Sequence, residues 1–210
     1  MRMRKEPNLI PRLERCSSII PASPESLRGN WRSLYPEASQ LRLEVGCGKG
    51  KFTAETSAAE PDMLLIAMER VPEALVMAAE KVMNAELKNC HFISADVEKL
   101  EEYFAPGEVD LIYINFCDPW PGKRHAKRRL TSPLFLERYK KILAPGGCIH
   151  FKTDNADLFE YSLEQFEAAG FTLKEVTRDL HANGPVGIMT GYEEKFHALG
   201  TPINRCEAYL

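Results

Sequence analysis

The chain has 210 residues, 44% hydrophobic and 27% charged, with a formal net charge of −3 at pH 7. That length can bury a full core without disulfides and fits one large domain, or a domain with an arm. The slightly acidic balance excludes a globally basic nucleic-acid binder, so any such role must rest on local clusters of charge. Six cysteines (Cys16, Cys47, Cys90, Cys117, Cys148 and Cys206) are nowhere closer than 27 residues and form no C-x-x-C pair. This argues against zinc-type or thioredoxin-like spacing and for a reducing compartment. No apolar run approaches the roughly 20 residues of a bilayer span. The basic start, Met1 to Lys5, leads into no apolar signal core. The expectation is a cytoplasmic protein with no membrane partner and no metal.

Residues 1–40 are aperiodic, interrupted by Pro7, Pro11, Pro21, Pro24 and Pro36, and basic through Arg2, Arg4, Lys5, Arg12 and Arg15. They read either as an arm that packs on the domain or reaches a partner, or as a solvated tail. Residues 41–210 read as one domain. Leu41–Val45 is a strand that ends in Gly46-Cys47-Gly48-Lys49-Gly50, and a helix starts near Lys51. A strand, a glycine turn and a helix together grip nucleotide-type cofactors, because glycine lets the backbone approach the ligand closely. A P-loop is excluded: Gly50-Lys51 is followed by Phe52 and lacks the upstream glycine.

Met63–Met68 is a second strand, closing at Glu69, 19 residues beyond Gly50. An acid at that spacing accepts ribose hydroxyls. The bland alternative is an acid at the start of a helix with Pro72 in its first turn. That helix, Pro72 to about Met83, carries the stripe Leu75, Val76, Ala79, Val82 and Met83, read as core. His91–Ala95 is a third strand ending at Asp96, and Val109–Asn115 a fourth leading to Asp118. Thr131 or Ser132 is expected to cap a helix with Pro133 in its first turn and Phe135, Tyr139 and Ile142 on one face. Residues 143–147 form a tight turn into a fifth strand, Cys148–Lys152, which ends at Thr153-Asp154. A helix Ala156–Ala169 stops at Gly170. Phe171–Val176 is the sixth strand, 180–191 a loop, and Arg205–Tyr209 the last strand. The alternation predicts an α/β fold: a doubly wound, mostly parallel, Rossmann-like seven-stranded sheet.

Three successive strands therefore close at or beside an acid: Glu44, Glu69 and Asp96. In the central stretch 115–130, Asp118 follows an apolar strand, and Lys123, Arg124, Lys127, Arg128 and Arg129 fall within seven residues, with His125 among them. Open α/β sheets put their chemistry at the carboxyl ends of strands, and a basic run is where a phosphate backbone is held. Trp120 reads equally as a shelf for a base or as a hydrophobic plug. Glu44, just before the glycines, would repel a pyrophosphate but suits the sulfonium and ammonium groups of S-adenosylmethionine. That separates methyl transfer from hydride transfer.

These motifs, together with Thr153-Asp154 and the run from Thr190 to Phe196, resemble the bacterial tRNA (guanine-N7-)-methyltransferases from about Leu41 to the C-terminus. The resemblance implies the class I S-adenosylmethionine-dependent methyltransferase fold, S-adenosyl-L-methionine as cofactor, and tRNA as partner with a variable-loop guanine as target. The sequence itself leaves monomer and homodimer both open. Carried over by position, Glu44, Gly46, Gly48, Gly50, Glu69, Asp96 and Asp118 hold the cofactor, and Asp118 also serves catalysis. Lys123, Arg124, His125, Lys127, Arg128, Arg129, Asp154, Thr190, Gly191, Tyr192 and Glu193 hold the substrate. The family usually has Pro, Lys and Glu where this chain has Cys117, Gly122 and Gly191. The first two departures are expected to loosen the loop, and the third removes one acidic substrate contact.

Guanine N7 carries a lone pair and no proton, so the attack needs no general base. Asp118 is expected to hold the N1 and N2 edge of the guanine or to stabilise the developing cation. The alternatives are a non-catalytic RNA-binding subunit on the same fold, a methyltransferase for another substrate, and a nicotinamide enzyme.

Overall fold

The computed structural model describes residues 8–210; Arg2, Arg4 and Lys5 of the basic arm lie outside the described residues. In chain order the elements are α1 (Leu9–Arg15), β1 (Gln40–Val45), α2 (Lys51–Ala59), β2 (Met63–Met68), α3 (Pro72–Asn84), β3 (Cys90–Ile93), α4 (Leu100–Tyr103), β4 (Val109–Asn115), α5 (Pro133–Ile142), β5 (Leu143–Thr153), α6 (Ala156–Ala168), β6 (Thr172–Thr177), α7 (Gly191–Ala198) and β7 (Asn204–Tyr209).

The strands form one seven-stranded sheet in the order β3-β2-β1-β4-β5-β7-β6. The central pairs are parallel, and β7 runs antiparallel to both β5 and β6. Strand order reverses between β1 and β4, which opens a crevice at their carboxyl ends. The wholly buried run Met63–Met68 shows how the faces are shared. Met63, Leu65 and Ala67 pack with Phe52, Leu75, Ala78, Ala79 and Val82 of α2 and α3. Leu64, Ile66 and Met68 join the core that holds Phe135, Leu136, Tyr139, Phe159 and Phe166 of α5 and α6. Side chains alternate along a strand, so a sheet covered on both faces reads as continuously apolar.

Residues 8–40 pack on this body. Arg12 pairs with Glu80 of α3 at 2.6 Å. The Ile19 carbonyl accepts from the Phe92 amide at the outer edge of β3 (2.8 Å). Trp31 is fully buried, and its indole donates to the Tyr103 carbonyl at 2.9 Å.

The structure departs from the sequence expectations in four places. Met83 ends the α3 stripe 37% exposed, so it belongs to the rim of the core. Ser132 occupies the N-cap of α5, but its hydroxyl donates back to the Lys127 carbonyl instead of capping, while the Thr131 hydroxyl pairs with Ser162. Residues 143–147 belong to β5, with an irregular register between Val109 and Leu111 of the neighbouring strand. β3 stops at Ile93, two residues earlier than expected.

Candidate active site

The glycine turn after β1 sits at the sheet's switch point. Gly46 (φ 75°) and Gly48 (φ 56°) are left-handed, and a Cβ on either would meet nothing within 4 Å. They leave an open cradle. Gly50 (φ 71°) does a different job: a Cβ there would lie 2.4 Å from the Ala78 Cβ, so its bareness lets α2 pack against α3.

The acids divide by burial. Glu44 is 2% exposed and accepts from the Thr53 hydroxyl at 2.5 Å. Burial raises its pKa to about 7, opposed by Thr53, the Asn115 amide and the Lys152 ammonium. Glu69 is half-buried and bridges the Gly48 amide (3.0 Å) and the Val71 amide (2.9 Å). It thus braces the glycine turn and ties it to the residue that precedes α3. Asp96 caps the turn after β3 through the Glu98 amide (3.0 Å) and lies 3.7 Å from Arg70. Asn115 is buried, 8% exposed, and its carboxamide favours the charged form of Glu44. It shares a sheet face with Glu44, by way of the Glu44–Tyr113 register pair, and pairs in register with Lys152. An open glycine cradle, with buried and half-buried carboxylates beside it, fits a cationic, hydrogen-bonding cofactor such as S-adenosylmethionine.

Asp118 is exposed at the head of the loop after β4. The loop is fastened rather than slack. Arg129 donates to the carbonyls of Pro119 (3.0 Å) and Trp120 (3.3 Å), and its guanidinium lies 4.2 Å over the Tyr161 ring. The five basic residues therefore divide: Arg129 is committed to holding the loop, while Lys123, Arg124, Lys127 and Arg128 remain exposed on a 3₁₀ segment, Lys123–Arg128. Arg124 donates to His125 Nε2 at 2.9 Å. Arg128 lies 5.0 Å over Trp120, which covers a face of the indole. Gly122 has φ 92°, a conformation that a lysine at this position would adopt only under strain. Burial pushes the Cys117 thiol up to about 12, which keeps it protonated and unreactive.

Across the crevice, α7 presents Gly191 and Tyr192, both exposed, while Glu193 is completely buried. Thr190 and Glu193 form a capping box: the Thr190 hydroxyl accepts from the Glu193 amide (2.9 Å), and the Glu193 carboxylate accepts from the Thr190 amide (3.1 Å). Glu193 also accepts from Lys152 Nζ (2.6 Å) and meets His181 Nε2 at 3.0 Å. Since His181 Nδ1 accepts from the Val186 amide (3.1 Å), Nε2 is the donor to Glu193 when the ring is neutral. Glu193, expected from the sequence to contact substrate, is thus turned inward and fastens the start of α7 from beneath. Lys152 and His181 were not singled out in the sequence; the one local sign was a lysine ending the apolar strand 148–152. Lys152 also reaches the Ile188 carbonyl (3.2 Å), and Lys51 reaches the Met189 carbonyl (3.3 Å) and Glu194 (3.0 Å). Tyr192 donates to Asp154 at 3.1 Å. Among the described residues no group of three His, Cys, Asp or Glu side chains could hold a metal ion, and no helix is long and apolar enough to cross a membrane.

A family described as a putative methyltransferase matches residues 38–206. The chain is 45% identical over 209 residues to the tRNA (guanine-N(7)-)-methyltransferase of Geobacillus kaustophilus, spanning 99% of this chain and 96% of that protein. It is 43% identical over 208 residues to the protein of the same name from Bacillus subtilis, spanning 99% and 98%. Among solved structures, the 16S rRNA methyltransferase KamB superposes with a TM-score of 0.66 at 16% identity, over 87% of this chain and 93% of that one; that is a likeness of fold. With identity at that level over nearly the whole length of two tRNA-modifying relatives, the chain belongs to the bacterial tRNA (guanine-N7-)-methyltransferase family.

Proposed function

We propose that the protein transfers the methyl group of S-adenosylmethionine to N7 of a guanine in tRNA, the variable-loop guanine in the family's pattern, giving 7-methylguanosine. The observation that carries this reading is the juxtaposition of an open, acid-lined glycine cradle with an exposed carboxylate and an exposed basic loop at one switch point. Bound in the cradle, S-adenosylmethionine supplies a methyl group made electrophilic by its sulfonium. Glu44, Glu69 and Asp96 hold its cationic and hydroxyl groups. Asp118 holds the guanine by its N1 and N2 edge and offsets the positive charge that grows on the purine; no residue has to remove a proton from N7. Lys123, Arg124, Lys127 and Arg128 hold the phosphates. Six free thiols fit a cytoplasmic enzyme.

The test is transfer of labelled methyl to unmodified tRNA, with nuclease mapping of the product. Label is expected as 7-methylguanosine, and an Asp118→Ala variant should lose at least a hundredfold in turnover while still binding S-adenosylmethionine. An Asp118→Ala variant with wild-type turnover removes the role given to that carboxylate. Absence of transfer by the wild type, with the cofactor bound, would favour an RNA-binding subunit.

A further inference from the structure

Two bulky residues that flank Asp118 hold left-handed backbone: Phe116 at φ 54° and Trp120 at φ 42°. Such conformations cost on the order of 1–3 kcal/mol each and persist where the surroundings impose them, commonly at functional sites. At Trp120 the ring is covered by Arg128. At Phe116 the result is different. The Phe116 amide donates to the Lys152 carbonyl at 2.8 Å, which anchors the residue where β4 and β5 end. Its half-buried ring meets Tyr192, with centroids 5.1 Å apart and planes at 42°. Tyr192 is stacked in turn on Phe196 at 4.2 Å and 23°, one helical turn further along α7. Tyr192 is nevertheless 46% exposed, and its hydroxyl is held by Asp154.

The result is a shelf of aromatic rings, backed by a helix and open to solvent, two residues from Asp118. Its position in the sheet favours one occupant. The cradle and the acids Glu44, Glu69 and Asp96 belong to β1, β2 and β3, on one side of the switch point; the shelf belongs to the β4–β5 side, with Asp118 two residues beyond Phe116 on that same side. A guanine drawn out of a structured RNA loses its stacking partners, and an aromatic face replaces them. Building on the activity proposed above, we propose that Phe116 and Tyr192 form the stacking platform for the target guanine, with Phe116 a substrate-contacting residue that sets the plane in which N7 meets the methyl donor. Asp118 then grips the edge of a base whose face is already fixed.

The test is steady-state methylation of an unmodified tRNA transcript by Phe116→Leu, Tyr192→Leu, Phe116→Tyr and Tyr192→Phe. Leucine keeps bulk and apolarity, so the loop and α7 stay packed, but it removes the stacking face. Stacking on an aromatic ring is worth roughly 1–3 kcal/mol per base, so each leucine variant should lose about 5- to 150-fold in kcat/KM for tRNA. Both aromatic replacements should stay within about threefold of wild type. S-adenosylmethionine affinity and the salt dependence of tRNA binding should not change, because neither depends on the shelf. Leucine variants within twofold of an active wild type overturn the platform alone. So does a Tyr192→Phe variant as impaired as Tyr192→Leu, which would assign the effect to the Asp154 hydrogen bond, and so does a parallel loss of cofactor affinity, which would make the pair a structural brace. A wild type that leaves tRNA unmethylated overturns the underlying activity and the platform with it.

Discussion

Glu44 combines two demands that oppose each other: burial, and a charge for a cationic cofactor. Its carboxyl shifts from an ordinary 4.5 to about 7 in the folded chain. Below pH 4.5 the group is protonated in both states. Between 4.5 and about 7 only the unfolded chain ionises, so folding loses up to roughly 3 kcal/mol as pH rises through that window. Glu44→Gln should therefore raise the urea midpoint at pH 8, with the gain vanishing toward pH 4.5, while S-adenosylmethionine affinity, read by calorimetry, falls at least tenfold. In the wild type the same affinity should tighten as pH rises through 7. The glycines separate in a similar way. Gly50→Ala adds a left-handed alanine and a clash with Ala78, about 2–5 kcal/mol together, whereas Gly48→Ala meets open space and should cost only about 1–2 kcal/mol. Denaturant melts of the two variants check this. Glu44, the glycines and Asp118 were legible in the chain because each is set by its neighbours in sequence: a strand, a turn and a helix in immediate succession.

The α7 helix was not legible in that way. Its eight residues carry no strong apolar stripe, and their lodging depends on partners distant in sequence: Lys152 is 41 residues from Glu193, and Lys51 is 138 from Met189. No local pattern announces a buried carboxylate that will be satisfied by a strand lysine, a loop histidine and its own capping box. The same holds for the loop after β4, whose basic run looks uniform in sequence but loses Arg129 to the carbonyls behind it. Lys152→Met should strip Glu193 of its cation and lower stability by about 3–5 kcal/mol. Adding Glu193→Gln should restore part of that, because the uncompensated charge is gone. Urea unfolding of the single and double variants checks the expectation. Among the described residues a Cβ at Gly191 would touch only the Lys51 side chain, at 3.7 Å, so Gly191→Glu should fold normally and set a carboxylate beside that lysine, with an unchanged urea midpoint as the check.

The molecule as a whole carries a formal charge of −3, so its hold on a polyanion has to come from local clusters such as the exposed run Lys123–Arg128, against a net repulsive background. tRNA affinity should fall steeply with salt, and Lys123→Ala or Lys127→Ala should each flatten the slope of log affinity against log salt by about 0.9 or less, measured by filter binding. Arg129→Ala should instead lower turnover, by releasing the loop. The lysine that follows Gly50 has a broader consequence. Lys51 opens α2 directly after the glycine turn, yet it bonds Met189 and Glu194, at the start of α7. We therefore expect binding on either side to be felt at the other through this one ammonium group. Thermodynamic reciprocity then requires that the factor by which cofactor sharpens tRNA binding equal the factor by which tRNA sharpens cofactor binding. In Lys51→Ala both factors should shrink together, leaving two sites that work side by side without hearing one another.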